Sequence, residues 1–336
     1  MTVIRRFVAA VALLACSTSP LAAQSAQCQA QVSGLRDACQ KGTDLFMMLA
    51  PQVNGAIAGG GPTLGTARTS GGITIGLRLN VVDGRVPDLS RVTLSSTGTV
   101  QSTIPTSRAP VPMPTIDAAF SVIPGFDVGV QRILAVDVLT NVAYVPTRDL
   151  EDFSVGATKG SFKVGYGARI GILADRLLVP AVSISYFRRT LPTSRITASL
   201  PINAAGSSQR DSITLDELSL RSDALRLAVS KRLGFLEIGG GAGQDRYRAF
   251  TQVRVKVTPV AFGAPLAPVS GAFVLPQQIT RNSAYGSLAL NFGKVHLGAE
   301  VGATFGGDSV TTFNTFTDGK VNARRLFGSA GLRVSF

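Results

Sequence analysis

The sequence predicts an all-β chain: an antiparallel transmembrane β-barrel of about ten strands, preceded by a short N-terminal helical segment. Three observations carry that prediction. Apolar and polar residues alternate strictly over stretches of about ten residues or more, enough for a tilted strand to cross a bilayer. The connections between those stretches are alternately short and long. The last stretch ends the chain on Phe336, with Val334 and Leu332 on the same face.

Residues 1–23 read as a secretory signal. Arg5 and Arg6 precede an apolar run from Phe7 to Ala15, and Leu21-Ala22-Ala23 offers a cleavage site before Gln24. The run is too short to span a bilayer. Leu13-Leu14-Ala15-Cys16 is a rival lipoprotein-type site. On either reading the protein leaves the cytoplasm. Residues 24–70 form the second unit, periplasmic or inside the barrel as a plug. Within it Val32, Leu35, Cys39, Leu45, Phe46 and Leu49 fall near one helical stripe. Once Cys16 has left with the leader, Cys28 and Cys39 remain as an even pair in an oxidising compartment. On one straight helix they would stand about 16 Å apart, too far for a disulfide, so the bridge requires a turn. Gly34 is the expected turning point.

Residues 71–336 form the barrel. Ile73, Ile75, Leu77, Leu79 and Val81 oppose Thr74, Gly76, Arg78 and Asn80, and the same alternation recurs at residues 162–172, 295–305 and 326–336. The expected strands are 72–82, 114–124, 131–146, 160–174, 178–190, 218–232, 234–250, 281–292, 294–306 and 322–336. An even count places both ends of the barrel on one side. Residues 92–101 could add a strand only with a partner, which makes twelve the alternative. Pro-rich, apolar outer loops are expected at 104–114 and 259–276, the first with four prolines that oppose ladder pairing.

Alternation assigns the polar face to the lumen. The lumen-lining candidates are Arg78, Asp137, Lys163, Arg169, Arg226, Glu237, Asp245, His296, Glu300 and Arg333, with Asn141, Ser230 and Asn291 among them. Either they form an ion-pair network that braces a narrow barrel, or their arginines make a constriction that favours anions. Gly239, Gly241, Gly243, Gly298 and Gly302 share that face. Such glycines mark curvature or close approach of another backbone, for which the N-terminal segment is the candidate.

Composition removes other classes. Only 16 % of residues are charged, and no apolar run is long enough for a spanning helix. With three Cys and one His, no metal site is expected, and no cofactor. A hydrolase triad would rest on His296 alone, so no catalytic residues are assigned. Gly239-Gly240-Gly241-Ala242-Gly243 lacks a following helix, and the Gly55–Gly65 stretch is not followed by Gly-Lys-Ser/Thr, so neither cradles a nucleotide. The net charge of +13 is expected to face lipopolysaccharide phosphates and the lumen, not nucleic acid. Trp is absent, so Phe and the five Tyr must supply any aromatic girdle.

With its leader, amphipathic strands and terminal Leu332, Val334 and Phe336, the chain resembles bacterial outer-membrane β-barrel proteins over residues 71–336. The resemblance implies an outer-membrane location and recognition of those three residues by the barrel-assembly machinery. The helical segment is loosely similar to the hatch of long-chain fatty-acid channels. It lacks their asparagine-proline-alanine motif and precedes fewer strands, so no ligand residues carry over. What the likeness implies is a barrel that admits or binds a small hydrophobic or amphiphilic compound, gated by residues 27–65. The alternative is a closed structural or surface-interaction barrel among outer-membrane lipids.

Overall fold

A computed structural model describes residues 24–336 apart from 62, 146, 151–152, 203–208 and 318–319; the expected leader and Cys16 lie outside the described residues. A sheet with one apolar and one polar face can hide its polar face and lose both edges by closing on itself, and this sheet does so. Ten strands form the ring: β1 (Ile73–Pro87), β2 (Thr106–Ile123), β3 (Gln131–Tyr144), β4 (Phe162–Leu173), β5 (Ala181–Thr190), β6 (Arg210–Leu233), β7 (Leu236–Val257), β8 (Val269–Phe292), β9 (Val295–Phe305) and β10 (Arg325–Ser335). Each pairs antiparallel with the next. The seam between β10 and β1 runs from Thr74 opposite Ser335 to Val82 opposite Phe327.

The alternation reads directly onto the two faces. Ile75, Leu77 and Leu79 are exposed outside, whereas Thr74, Arg78 and Asn80 are buried inside. The same outward exposure recurs at Val138, Val164, Ile184, Leu227, Ile238, Leu288, Leu297 and Leu332, around the whole ring. This continuous apolar belt is the surface that a barrel presents to lipid. Phe126, Phe235, Phe292 and Phe336 stand exposed at its short-turn edge, and Tyr144, Phe162, Tyr166 and Tyr186 towards the other. The girdle therefore exists without Trp. Only three of the five Tyr serve it, because Tyr247 and Tyr285 point inwards and are buried.

The short-turn ends of the strands match the alternation closely. At the long-loop end β1, β2, β6, β7 and β8 run well beyond their expected limits. The prolines do not prevent this. Pro110, Pro112 and Pro114 lie in β2, opposite Asp83, Val81 and Leu79 of β1. They share one parity, so their missing N–H groups all lie along one edge. That edge is unpaired, since the ladder of β2 with β3 begins only at Thr115. Pro276 follows the same rule. It sits in β8 opposite Phe250, and the β8–β9 ladder begins only at Asn282. The expected loop 259–276 is thus half strand, with a two-residue ladder between Val260–Ala261 and Ala264–Pro265 at its tip. No strand forms over residues 92–101; a 3₁₀ turn, Leu89–Arg91, precedes them.

Beyond the ring, the sheet of β6 continues through Ser194–Pro201, Phe153–Ala157 and Arg148–Leu150 as a flap. On the other side, residues Thr103–Ile104 and Thr315–Phe316 join two long loops by a parallel ladder. Flap, loops and the tops of β6–β8 enclose an apolar dome containing Ile213, Leu220, Val253, Phe273, Ile104 and Leu200.

The dome closes around the N-terminal segment, whose first residues stay mostly exposed. A short helix α1 (Ala26–Gln29) leads into a long one, α2 (Ser33–Ala58), and Cys28 and Cys39 are joined by a disulfide with Cα atoms 5.4 Å apart. The chain reverses at residues 30–32, not at Gly34, which lies inside α2. Most of α2 is buried, and it packs against β1, β2, β5, β6, β7, β8 and β10, strands from opposite sides of the ring. Leu35 meets Gly271 at the top of β8, Gly42 meets Val253 and Phe273, and Gly55 meets Val82 and Tyr247 lower down. The helix therefore descends from the long-loop end into the lumen. Residues 59–61 and 63–70 continue to the short-turn end, where β1 begins. Both ends of the barrel lie on one side, as expected, but residues 24–32 lie at the opposite end.

The disulfide holds α1 against α2, with Ser25 N–H donating to Gln40 Oε1 at 2.8 Å. Closing so short a loop stabilises the docked state by about 2–3 kcal/mol. Replacing Cys28 and Cys39 by Ser should open residues 24–32 to protease while the ring keeps its resistance. Limited proteolysis followed by mass spectrometry reads both.

Candidate functional site

A helix leaves its last carbonyls without partners, and its dipole makes that end negative. Here α2 ends inside the barrel, away from water, and the wall supplies the donors. Arg78 (β1) donates from Nη1 to Gly59 O at 2.8 Å. Arg189 (β5) donates from Nη1 to Ala58 O at 3.0 Å and from Nη2 to Gly60 O at 2.7 Å. Arg226 (β6) also donates to Ala58 O. Lower down, Arg169 (β4) reaches Thr63 Oγ1 at 2.6 Å and Thr66 O at 3.1 Å, and Arg333 (β10) reaches Thr63 O at 2.6 Å. Five arginines from five strands thus grip residues 58–66, almost entirely through backbone carbonyls.

Buried guanidinium groups require counter-charge, and the same polar face provides it. Arg78 forms a two-pronged pair with Asp117, with contacts of 2.5 and 2.9 Å. Arg169 pairs with Asp137 at 2.5 Å, and Arg226 lies 3.5 Å from Glu300. Asp245, wholly buried, acts on both Arg226 and Arg189. Glu237 acts on Arg333 and accepts a hydrogen bond from Ser230 at 2.8 Å. Arg189 forms no ion pair among the described residues. Its guanidinium lies 4.4 Å from the centroid of the Phe187 ring.

The upper half of α2 is fixed differently. Asp37 accepts from the Ser95 and Val100 N–H groups and from Lys41 Nζ, and Lys41 donates to Thr93 O. Asp44 accepts from Phe313 N, Asn314 N and Asn314 Nδ2. Burial pushes its carboxyl above the ordinary Asp range despite these bonds. Buried acids on the helix thereby organise both long loops.

The wall glycines make room, partly for the segment and partly for side chains. A Cβ on Gly298 would lie 2.6 Å from Leu64, whereas one on Gly302 would meet Phe327 and one on Gly241 would meet Tyr285. Gly239 and Gly243 border Ser and Arg side chains of the wall. On the segment, Gly60 and Gly65 have φ of +63° and +72°, and a Cβ on either would press into the wall within 3 Å.

Of the expected lumen residues, Arg78, Asp137, Arg169, Arg226, Glu237, Asp245, Glu300 and Arg333 come together around residues 58–66. His296 sits at the short-turn rim, with Nδ1 2.6 Å from Asn291 Oδ1 and Nε2 3.1 Å from Ser335 Oγ. Lys163 is exposed at the long-loop end and joins none of this. Two members went unpredicted. Asp117 follows from Ile116 and Phe120 pointing outwards. Arg189 shares a parity with Ser183 and Ser185, but the Arg188-Arg189 doublet and inward Phe187 blur the alternation there.

Replacing Gly60 by Ala should destabilise the folded barrel by about 2–4 kcal/mol, combining the left-handed backbone with overpacking. Gly286→Ala, where a Cβ meets open space, should be near neutral. Arg78→Gln strands Asp117 and should cost about 3–5 kcal/mol. Urea midpoints in detergent compare the three.

No protein-family model matches the chain, and no curated protein matches it. Among solved structures it is similar to a deletion mutant of the monoaromatic hydrocarbon channel TodX, at 7 % identity over 79 % of this chain and 91 % of that one, with a TM-score of 0.24. It is also similar to OmpT, an outer membrane protein of Vibrio cholerae (10 % identity, 79 % of this chain, 97 % of that one, TM-score 0.17). A third is the outer membrane protein opdK of Pseudomonas aeruginosa (9 % identity, 79 % and 99 %, TM-score 0.16). Scores this low add nothing to the ring and belt themselves, which give the chain the architecture of an outer-membrane β-barrel.

Proposed function

We propose that this protein is a sealed outer-membrane barrel, closed by its own N-terminal segment, with the dome outside the cell and the short turns in the periplasm. The observation that carries the proposal is the grip of five arginines on residues 58–66. A gate for hydrophobic compounds would need an apolar route. The wall facing the lower segment is instead guanidinium, carboxylate, amide and hydroxyl, and withdrawal of α2 would expose both its apolar half and that charged wall to water. The closed structural or surface-interaction reading is therefore preferred over gated uptake.

The outer surface supports this orientation. Above the belt, β6 and β7 place Arg221 opposite Arg248 and Asp223 opposite Arg246, with Arg254 and Lys256 beyond. Arg188 joins them, pairing with Asp223 at 2.7 Å. This outward patch carries an excess of cations where lipopolysaccharide phosphates would lie.

Purified full-length protein in planar bilayers should show no conductance steps, whereas a variant lacking residues 27–60 should conduct, because an emptied polar lumen fills with water. Steady conductance by the intact protein would sink the sealed-barrel reading. An equally tight deletion variant would remove the segment's role as plug.

A further inference from the structure

Beneath the plug, at the short-turn mouth, lies a cavity of about 190 Å³. Three arginines line it: Arg68 from the segment, and Arg232 and Arg333 from the wall, with Glu237 as the only carboxylate among its described lining. Hydroxyls of Thr66, Thr69 and Thr74 complete a lining rich in donors. All three arginines line this one space together with His296.

Their own partners leave them short of negative charge. Arg333 is only 8 % exposed, yet no carboxylate lies within 4.0 Å of it or of Arg68 among the described residues. One nitrogen of Arg333 serves Thr63 O. Glu237, which acts on Arg333 and accepts from Ser230, leaves one acid against three arginines among the described lining. His296, hydrogen-bonded to Asn291 and Ser335, brings no negative charge, since an imidazole is neutral or cationic. A buried guanidinium beside other cations is costly without an anion, and its fork of donors matches an oxyanion.

We propose that this cavity binds a tetrahedral oxyanion, of which inorganic phosphate is the test case, between Arg68 of the plug and Arg333 of the wall. At about 30 Å³ per water, the space amounts to about six water volumes, room for a tetrahedral oxyanion and several waters. The barrel wall separates the cavity from the lipid belt, which points to a dissolved anion and not a lipid headgroup. Because the anion bridges segment and wall, it also fastens the plug from below. The site stands whether or not the barrel conducts.

Isothermal titration of the full-length protein in nonionic detergent with inorganic phosphate, at ionic strength held constant with chloride, tests this. Saturable one-to-one binding is expected, weakened at least tenfold by Arg68→Gln and unchanged by Arg91→Gln in the 3₁₀ turn after β1. Arg68 is half-buried at the rim, so its loss should leave the barrel folded, as heat-modifiable gel mobility would verify; Arg333→Lys gives a second variant. Absence of saturable binding, or equal binding by wild type and Arg68→Gln, overturns the proposal. Binding of a soluble short-chain phospholipid but not inorganic phosphate overturns the assignment to a dissolved anion.

Discussion

The structure depends on one interaction: the negative end of a helix buried in a ring of guanidinium groups. Neither partner could stay in the lumen alone. Without the arginines, the last carbonyls of α2 would be desolvated and unpaired. Without those carbonyls, Arg189 would be a buried cation with only an aromatic face and the fields of Asp117 and Asp245 to stabilise it. Because most of the accepting atoms are backbone oxygens, the grip fixes where the helix ends and makes few demands on side chains there. That explains how Ala56-Ile57-Ala58-Gly59-Gly60-Gly61, a stretch with no polar side chain, can end in the most charged part of the molecule.

The helix also joins two interiors of opposite character. Its upper turns sit among Ile213, Val253 and Phe273 in an apolar core, and its lower end sits in an ionic one. Hydrophobic burial supplies adhesion above. Buried ion pairs, which contribute little net stability, supply position below. Of the two expected roles, the ion pairs beside the plug support a bracing network. Around residues 58–66 the charges brace, with the plug as their third party, whereas the mouth below keeps cations in excess.

Much of the ring was legible, because one lipid-facing side imposes a period of two that nothing else in the chain imitates. The belt, the strand number, the short turns and most lumen residues follow from it. The upper strands were harder to read. Once a sheet leaves the membrane its outer face becomes polar and its inner face apolar, so the alternation inverts its meaning along a single strand. Arg246 and Arg254 of β7 point outwards, whereas Arg226 and Arg333, at belt height, point inwards. Prolines at 110, 112 and 114 read as breakers because pattern alone does not reveal that they share one unpaired edge. The path of α2 left no local signal, since its donors come from strands far away in sequence.

The route of the chain carries a consequence for assembly. Residues 24–32 stand at the end of the barrel opposite the start of β1, with Cys28 buried and Ala26, Gln27, Gln29, Ala30 and Val32 exposed. Below them most of α2 is enclosed by strands from opposite sides of the ring. The seam joins β10 to β1, the last strand made to the first, and β1 is tethered to the helix by only a short stretch of chain. Closing that seam also closes the wall around the plug, so the ladder that completes the ring is the one that completes the enclosure.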